Sequence, residues 1–548
     1  MERRQLLKLI AIAMGAPACA DDASNDSVDA SPADAAGMDG TVGDSSTPAD
    51  TSGEDVQTDT AAEPDTLPRY EWQGEPIHED VFSHGVASGD PLPDAVILWT
   101  RVQPSDDAAL PEVWWEISVD EAFERRAATG TVDADPERGY CVKIDAAGLA
   151  PDTRYFYRFF CGGRQSIVGR TRTAAQSGTA PVRLAFCSCS NYTGGYFHNY
   201  RHIAAREDLN AVLHLGDYIY EYASPGDAVR PVLPDREIVT LDDYRERYAT
   251  YRTDPDLQAA HAAHPFIAVW DDHETTNNAW RDGAGNHDAS EGDYAARKLA
   301  AWQAWSEWLP VRDQEPGRIW RQLRFGDLID LLMLDTRVWG RDAQVEQGGV
   351  LDDPDRQILG ADQEAWLLDA LSRSTTTWRI LGQQVPISPL NHSAFKWLDD
   401  KWGDYPAARE RIFDHIEENE INNMLVFTGD VHTAWGVEVA RDPYDSAIYD
   451  TTTSRGALAV ELVCPGISSG AGPGLEIASI IGDGVVESEP HVRFCNAGQQ
   501  GYVYVEISEL EMVAEWHFAV DVNSTDPTVV LGGLARTLAG TNRLVREV

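Results

Sequence analysis

Five short apolar runs in this chain each end in residues that a hydrophobic core would not select. Val182 to Phe186 runs into Cys187-Ser188-Cys189-Ser190-Asn191, and Ala211 to Leu215 into Gly216-Asp217-Tyr218-Ile219-Tyr220-Glu221. Phe266 to Trp270 leads to Asp271-Asp272-His273-Glu274, and Leu328 to Leu334 to Asp335-Thr336-Arg337. Met424 to Thr428 leads to Gly429-Asp430-Val431-His432. Ligands of layered α/β folds collect at the carboxyl ends of strands. One aspartate after a strand is as often a helix cap as a ligand; five polar ends together describe a site. The chemistry they suggest is metal-assisted hydrolysis. Carboxylate oxygens hold di- or trivalent cations, and one carboxylate can bridge two of them. A bound cation makes hydroxide available near neutral pH, while a second cation and a basic residue neutralise developing charge. His273, beside acids, is placed to give a proton to a leaving alkoxide.

The elements that must position these residues show in the periodicity. Between the apolar runs lie amphipathic stretches, including Tyr196 to Arg206, Leu241 to Tyr251 and Tyr294 to Leu309. Buried strands alternating with helices predict a layered α/β domain over residues 180–548. Leu458 to Cys464, Tyr502 to Ile507 and Met512 to Phe518 add further strands. Residues 69–175 differ: short alternating runs such as Ala95 to Thr100 and Val113 to Val119 predict a small β-sandwich. There Leu149-Ala150-Pro151-Asp152-Thr153-Arg154-Tyr155 resembles the corner of a fibronectin type III sandwich, whose Tyr hydroxyl pins the turn.

Gly216-Asp217, Asp271-Asp272-His273-Glu274 and Gly429-Asp430-Val431-His432 resemble the spaced blocks of calcineurin-like metallophosphoesterases. Phe186 to Tyr192, Gly216 to Tyr222, Trp270 to Asn278 and Gly429 to His432 resemble the PhoD-like alkaline phosphatase subgroup in particular. So do His84 to Pro91 and Leu98 to Arg101, and the blocks succeed one another in the subgroup's order. The resemblance implies two β-sheets flanked by helices, and hydrolysis of phosphate monoesters and diesters by in-line attack of hydroxide. It implies Fe³⁺ with Ca²⁺, two calcium ions being expected. Cys189 falls at a thiolate ligand, Asp217 at the bridging ligand and Tyr220 at a phenolate on iron. Asp272 takes an Asn or Asp ligand place, Asp430 and His432 the final ligand pair, and His273 that of transition-state donor. Arg337 falls at a phosphate contact. Asn277 is assigned to the substrate side, where with Asn278 it can also supply or orient a ligand. Cys187 stands where the subgroup has a small residue, and is expected to be an inert buried thiol. One rival is a calcium-dependent phosphodiesterase of phospholipase D type. Another is a surface lipoprotein with a vestigial site, which the intact motif residues argue against.

Composition sets the remaining bounds. Among 548 residues the formal charge is −46, which excludes nucleic acid as a partner; the substrate that the resemblance implies is a small phosphate ester. Residues 20–68 lack aromatics and read as a disordered acidic tether. Residues 1–19, with Arg3-Arg4 before a short apolar run, read as a twin-arginine export signal. Cys19 is expected to carry a lipid anchor, although Ala16-Pro17-Ala18 also fits ordinary cleavage; a periplasmic or cell-surface monomer is expected. With Cys19 and Cys189 set aside, five cysteines remain. A Cys141–Cys161 bridge across the ends of the corner strands is expected, and more weakly Cys464–Cys495.

Overall fold

The computed structural model describes residues 65–71, 80–104, 111–345, 351, 353–390, 401–470 and 475–547. The export signal, Cys19 and nearly all of the tether lie outside them. None of the described helices is long and apolar enough to cross a membrane.

The apolar runs pair into two large sheets, as their continuous hydrophobicity requires of strands covered on both faces. In the first, Val182–Cys187, Ala211–His214 and Pro265–Ala268 are mutually parallel. In the second, Ile329–Met333, Trp378–Gln383, Met424–Thr428 and Ala457–Val463 are parallel in turn. The two faces meet in one core, where the rings of Phe186 and Phe427 stack 4.5 Å apart. Register sets where the loops emerge. Cys187 lies opposite His214, and His214 opposite Ala268, so three chains leave the first sheet at one rim. In the second sheet Gln383, Thr428 and Val463 are aligned in the same way. The predicted pair of sheets flanked by helices is what the chain forms.

Val86–Gly89, Ala95–Arg101 and Cys141–Ala147 extend the first sheet, because Ser88 and Gly89 pair in parallel with Pro265 and Phe266. A separate sheet containing Glu112–Ser118 and Arg154–Cys161 packs over these strands. Val86, Val96, Leu98, Ile117, Tyr157 and Phe159 fill the space between them. The corner is present as expected: the Tyr155 hydroxyl accepts the Ala150 N–H at 2.8 Å.

The expected disulfides are not. All six described cysteines are free thiols. Cys141 opens a strand of the first sheet and Cys161 ends a strand of the separate one, and side chains alternate across a strand. Cys141 therefore packs into the main core, whereas Cys161 points into the sandwich core. Cys464 is buried 3.3 Å from the Ser188 hydroxyl, while Cys495 packs beneath the helix Leu475–Ser488 at the far side of the sheet. Alkylation of the denatured, non-reduced protein should label both Cys141 and Cys161; recovery of a peptide joining them would contradict this packing.

Candidate metal centre

At the shared rim, the residues leaving the strands adopt left-handed backbone conformations. Cys189 has φ +60°, Asp217 +56°, Asp430 +63° and His432 +59°. Such a conformation costs a non-glycine residue about 1–3 kcal/mol and persists only where the surroundings enforce it. Here the loops enforce one another. The Cys189 N–H donates to the Gly216 carbonyl at 3.1 Å, and the Ser190 N–H to the Asp217 carbonyl at 2.8 Å. Gly216, at φ +107°, approaches so closely that a Cβ would stand 2.4 Å from that of Asp271. Buried Glu274 then joins the second and third loops, accepting the N–H groups of Asp217, Tyr218 and Asp271 at 3.0, 2.7 and 2.8 Å.

The side chains converge in overlapping groups. Ligand atoms of Cys189, Asp217 and His432 lie within 4.8 Å of one another, as do those of Asp217, Asp272 and His273. A third group joins Asp271, Asp272 and Asp430. The Tyr220 hydroxyl donates to Asp217 Oδ2 at 3.1 Å and stands 3.1 Å from His432 Nε2 and 2.8 Å from Ser469 Oγ. His273 Nδ1 donates to the buried Glu221 carboxylate at 2.6 Å, with its ring against Tyr220. Glu221 also accepts the Asn277 N–H at 2.7 Å, and Asp272 accepts the Asn278 N–H at 2.6 Å. Arg337 is fully buried, paired with Asp271 and with Asp430 at 2.6 Å, and lies 3.8 Å from Asp272.

Desolvation dominates the titration of this cluster. Burial, reinforced by acidic neighbours, lifts Asp217 well above the carboxylate range; it does the same to Asp271 against the pull of Arg337. Asp430 rises to about 6 and Glu274 to about 7 for the same first reason. Burial and the Asp217 charge raise the Cys189 thiol and the Tyr220 phenol. In His273 burial is outweighed by Glu221, Asp217 and Asp272, so the imidazolium is favoured. Burial holds His432 neutral, with its pKa down at about 4.

The structure thus brings together Cys189, Asp217, Tyr220, Asp272, His273, Arg337, Asp430 and His432. Asn277 enters through its backbone, by way of Glu221. Arg337 is committed to carboxylates rather than projecting into open space. Cys187 lies outside the cluster, its thiol on the Leu213 carbonyl. Asp271, Glu221, Glu274 and Ser469 take part in the site without being assigned a role by the sequence reading. The first three stand within the quoted motifs, and Ser469 comes after a sixth strand end, that of Ala457–Val463.

The sequence pattern of the PhoD-like phosphatase family matches residues 184–516, and that of its amino-terminal domain residues 69–175. The chain belongs to the PhoD-like phosphatase family. Alkaline phosphatase D of Bacillus subtilis (strain 168) is 36% identical over 462 residues, covering 79% of this chain and 77% of that protein. The solved structure of PhoD matches with a TM-score of 0.77 at 33% identity, covering 88% of this chain and 93% of that one. This PhoD-like phosphatase is accordingly a phosphoester hydrolase, and membership implies that it depends on metal.

The raised carboxyls make stability of the metal-stripped enzyme pH-dependent. A carboxyl whose folded pKa is raised stabilises the fold below its unfolded pKa, and loses that contribution as pH climbs through the folded value. For Asp430 and Glu274 this spans roughly pH 4 to 7, and Asp217 and Asp271, also raised by burial, act in the same direction. Bound cations would remove the penalty. The gap in melting temperature between loaded and stripped enzyme should therefore widen from about pH 5 to about pH 8. A gap independent of pH would contradict protonation of these carboxyls in the stripped site.

Proposed function

We propose that the enzyme hydrolyses phosphate monoesters, and diesters as well, by in-line attack of hydroxide at an Fe³⁺ and Ca²⁺ centre. The observation that carries this reading is the position of Asp217, whose carboxylate belongs both to the group of Cys189 and His432 and to that of Asp272 and His273. The donor set fits such cations. Asp217 Oδ1 and Asp271 Oδ2 are buried acceptors without a hydrogen-bond partner, which a cation would satisfy. Cys189, Tyr220, Asp217 and His432 suit a ferric ion; Asp217, Asp272 and Asp430 suit calcium. When bound, the cations would lower the pKa of water and neutralise charge on the phosphoryl oxygens.

The chain's own residues supply the remainder. Glu221 fixes the Nδ1 proton of His273, leaving Nε2 to protonate the leaving alkoxide. Glu221 and the acids around His273 favour the protonated ring that this role needs. Arg337 would neutralise phosphoryl charge from within the carboxylate cluster, and the loop of Asn277 would line the substrate side.

Purified enzyme should contain iron and calcium, and chelation should abolish turnover of both monoester and diester substrates. Tyr220→Phe should remove a visible phenolate absorption band; full occupancy by zinc alone would refute the assignment. His273→Ala should retain its metals and lose about 10²–10⁴-fold on alkyl phosphates, but much less on an aryl phosphate with an acidic phenol. Equal losses on both would assign His273 to the phosphoryl oxygens, and loss of metal would make it a ligand.

A further inference from the structure

The helix Leu241–Tyr251 carries none of the motifs and contributes none of the converging ligand atoms. It begins with a capping box, Thr240 accepting the Asp243 N–H while Asp243 accepts that of Thr240. Tyr244, Arg247, Tyr248 and Tyr251 are fully buried. Their spacing of three, four and seven residues places them on one helical face.

That face grips three loops of the metal centre. The Tyr251 hydroxyl accepts the Tyr192 N–H at 3.1 Å, in the loop of Cys189, and the Tyr220 N–H at 3.2 Å. Arg247 donates to the Tyr220 carbonyl, and also to those of Pro234 and Arg236 at 2.8 and 3.0 Å. Tyr220 is therefore held on both sides of its peptide backbone by one helix. The Tyr244 hydroxyl donates to the Thr275 carbonyl, in the loop of Asp272 and His273, and accepts from Arg297 at 3.1 Å. Tyr248, on the same face, has a hydroxyl with no hydrogen-bond partner, and its ring stacks on Trp308. Three of the four residues thus each place a polar atom on site backbone, and the fourth is a packing residue.

We infer that Tyr244, Arg247 and Tyr251 are positioning residues that set the relative placement of the Cys189, Tyr220 and Asp272–His273 loops, and so the affinity of the centre for its cations. Main-chain hydrogen bonds reach each loop without touching a ligand side chain, so the helix can hold the spacing of the ligands while leaving their chemistry free. This role rests on the metal-centred reading of the site.

The test compares Tyr251→Phe, which removes one hydroxyl, with Tyr248→Leu, which removes packing from the same face. Calcium and iron affinities of metal-stripped protein are measured alongside the thermal unfolding temperature. Tyr251→Phe should weaken cation binding about 10- to 100-fold, the range typical when support behind metal ligands is lost. At saturating metal kcat should largely recover, with KM for a monoester unchanged. Tyr248→Leu should lower the unfolding temperature at least as much while binding cations like the wild type. If Tyr251→Phe does not fold, Arg247→Lys, which keeps the charge but loses the forked set of donors, replaces it. Unchanged affinity in the positioning variant, or losses that track unfolding temperature in both variants, would overturn the inference. Failure of wild-type protein to bind either cation would instead overturn the metal-centred reading beneath it.

Discussion

The structure depends on one electrostatic constraint: carboxylates have been taken out of water and placed side by side. Asp217, Asp271, Asp272, Asp430, Glu221 and Glu274 are packed at one rim, with Arg337 and His273 between them. Desolvated like charges repel strongly, and a buried carboxylate that lacks a counter-charge takes up a proton instead. The pair of cationic side chains cannot balance this many acids. Glu274 is relieved only in part by accepting three backbone N–H groups, which also make it a structural tie between loops. Glu221 escapes through His273. Asp217 and Asp271 keep buried oxygens with no partner. Short of protonation, cations would satisfy such atoms, and the overlap of the three groups at Asp217 and Asp272 would let neighbouring ions share ligands.

Holding that arrangement has a cost in backbone conformation. Four residues of the cluster lie in the left-handed region, where side chains are tolerated poorly. What allows it is parallel register. Strands that end level with one another feed turns into the same small volume, where the turns hydrogen-bond to each other rather than to water. The exchange between the Cys189 and Asp217 loops is of this kind. Gly216 marks the closest approach, since any side chain there would enter the space of Asp271. The strain is thus tied to the sheets, and the sheets to their shared core around Phe186 and Phe427.

Much of this is legible in the sequence because strand ends break a simple rule. A core run giving way at once to Asp, His or Cys needs a reason, and each of the five runs leads to the rim. Glu221 and Glu274 are harder to assign, since an acid inside a motif gives no sign whether it faces a metal or a peptide N–H. Arg337 reads as a phosphate contact, but a sequence cannot show that three aspartates surround one guanidinium. The cysteine pairing fails for a related reason. The sequence suggests that Cys141 and Cys161 meet at one end, yet their strands belong to different sheets, and the face each presents sends them into different cores. Ser469 gives no signal because the run before it ends in Cys-Pro-Gly, which reads as an ordinary turn.

The amino-terminal strands bear on whether the sandwich is a separate binding module. Val86–Gly89 lies directly beside Pro265–Ala268, the strand that delivers Asp271 to Glu274. Removing it would leave the peptide groups of that strand without partners on one side, which burial makes costly. Further ties cross the same boundary. Asp90 pairs with Arg321, at the start of the second sheet, at 2.6 Å, and accepts the Arg312 N–H at 2.7 Å. The Trp99 indole donates to the Glu307 carbonyl at 2.8 Å. A module evolved to bind a partner on its own would keep its edges to itself and reach the enzyme through a linker. Here the sheet of the sandwich and the sheet of the metal centre are one, so the amino-terminal strands belong to the scaffold that sets the height of the third loop.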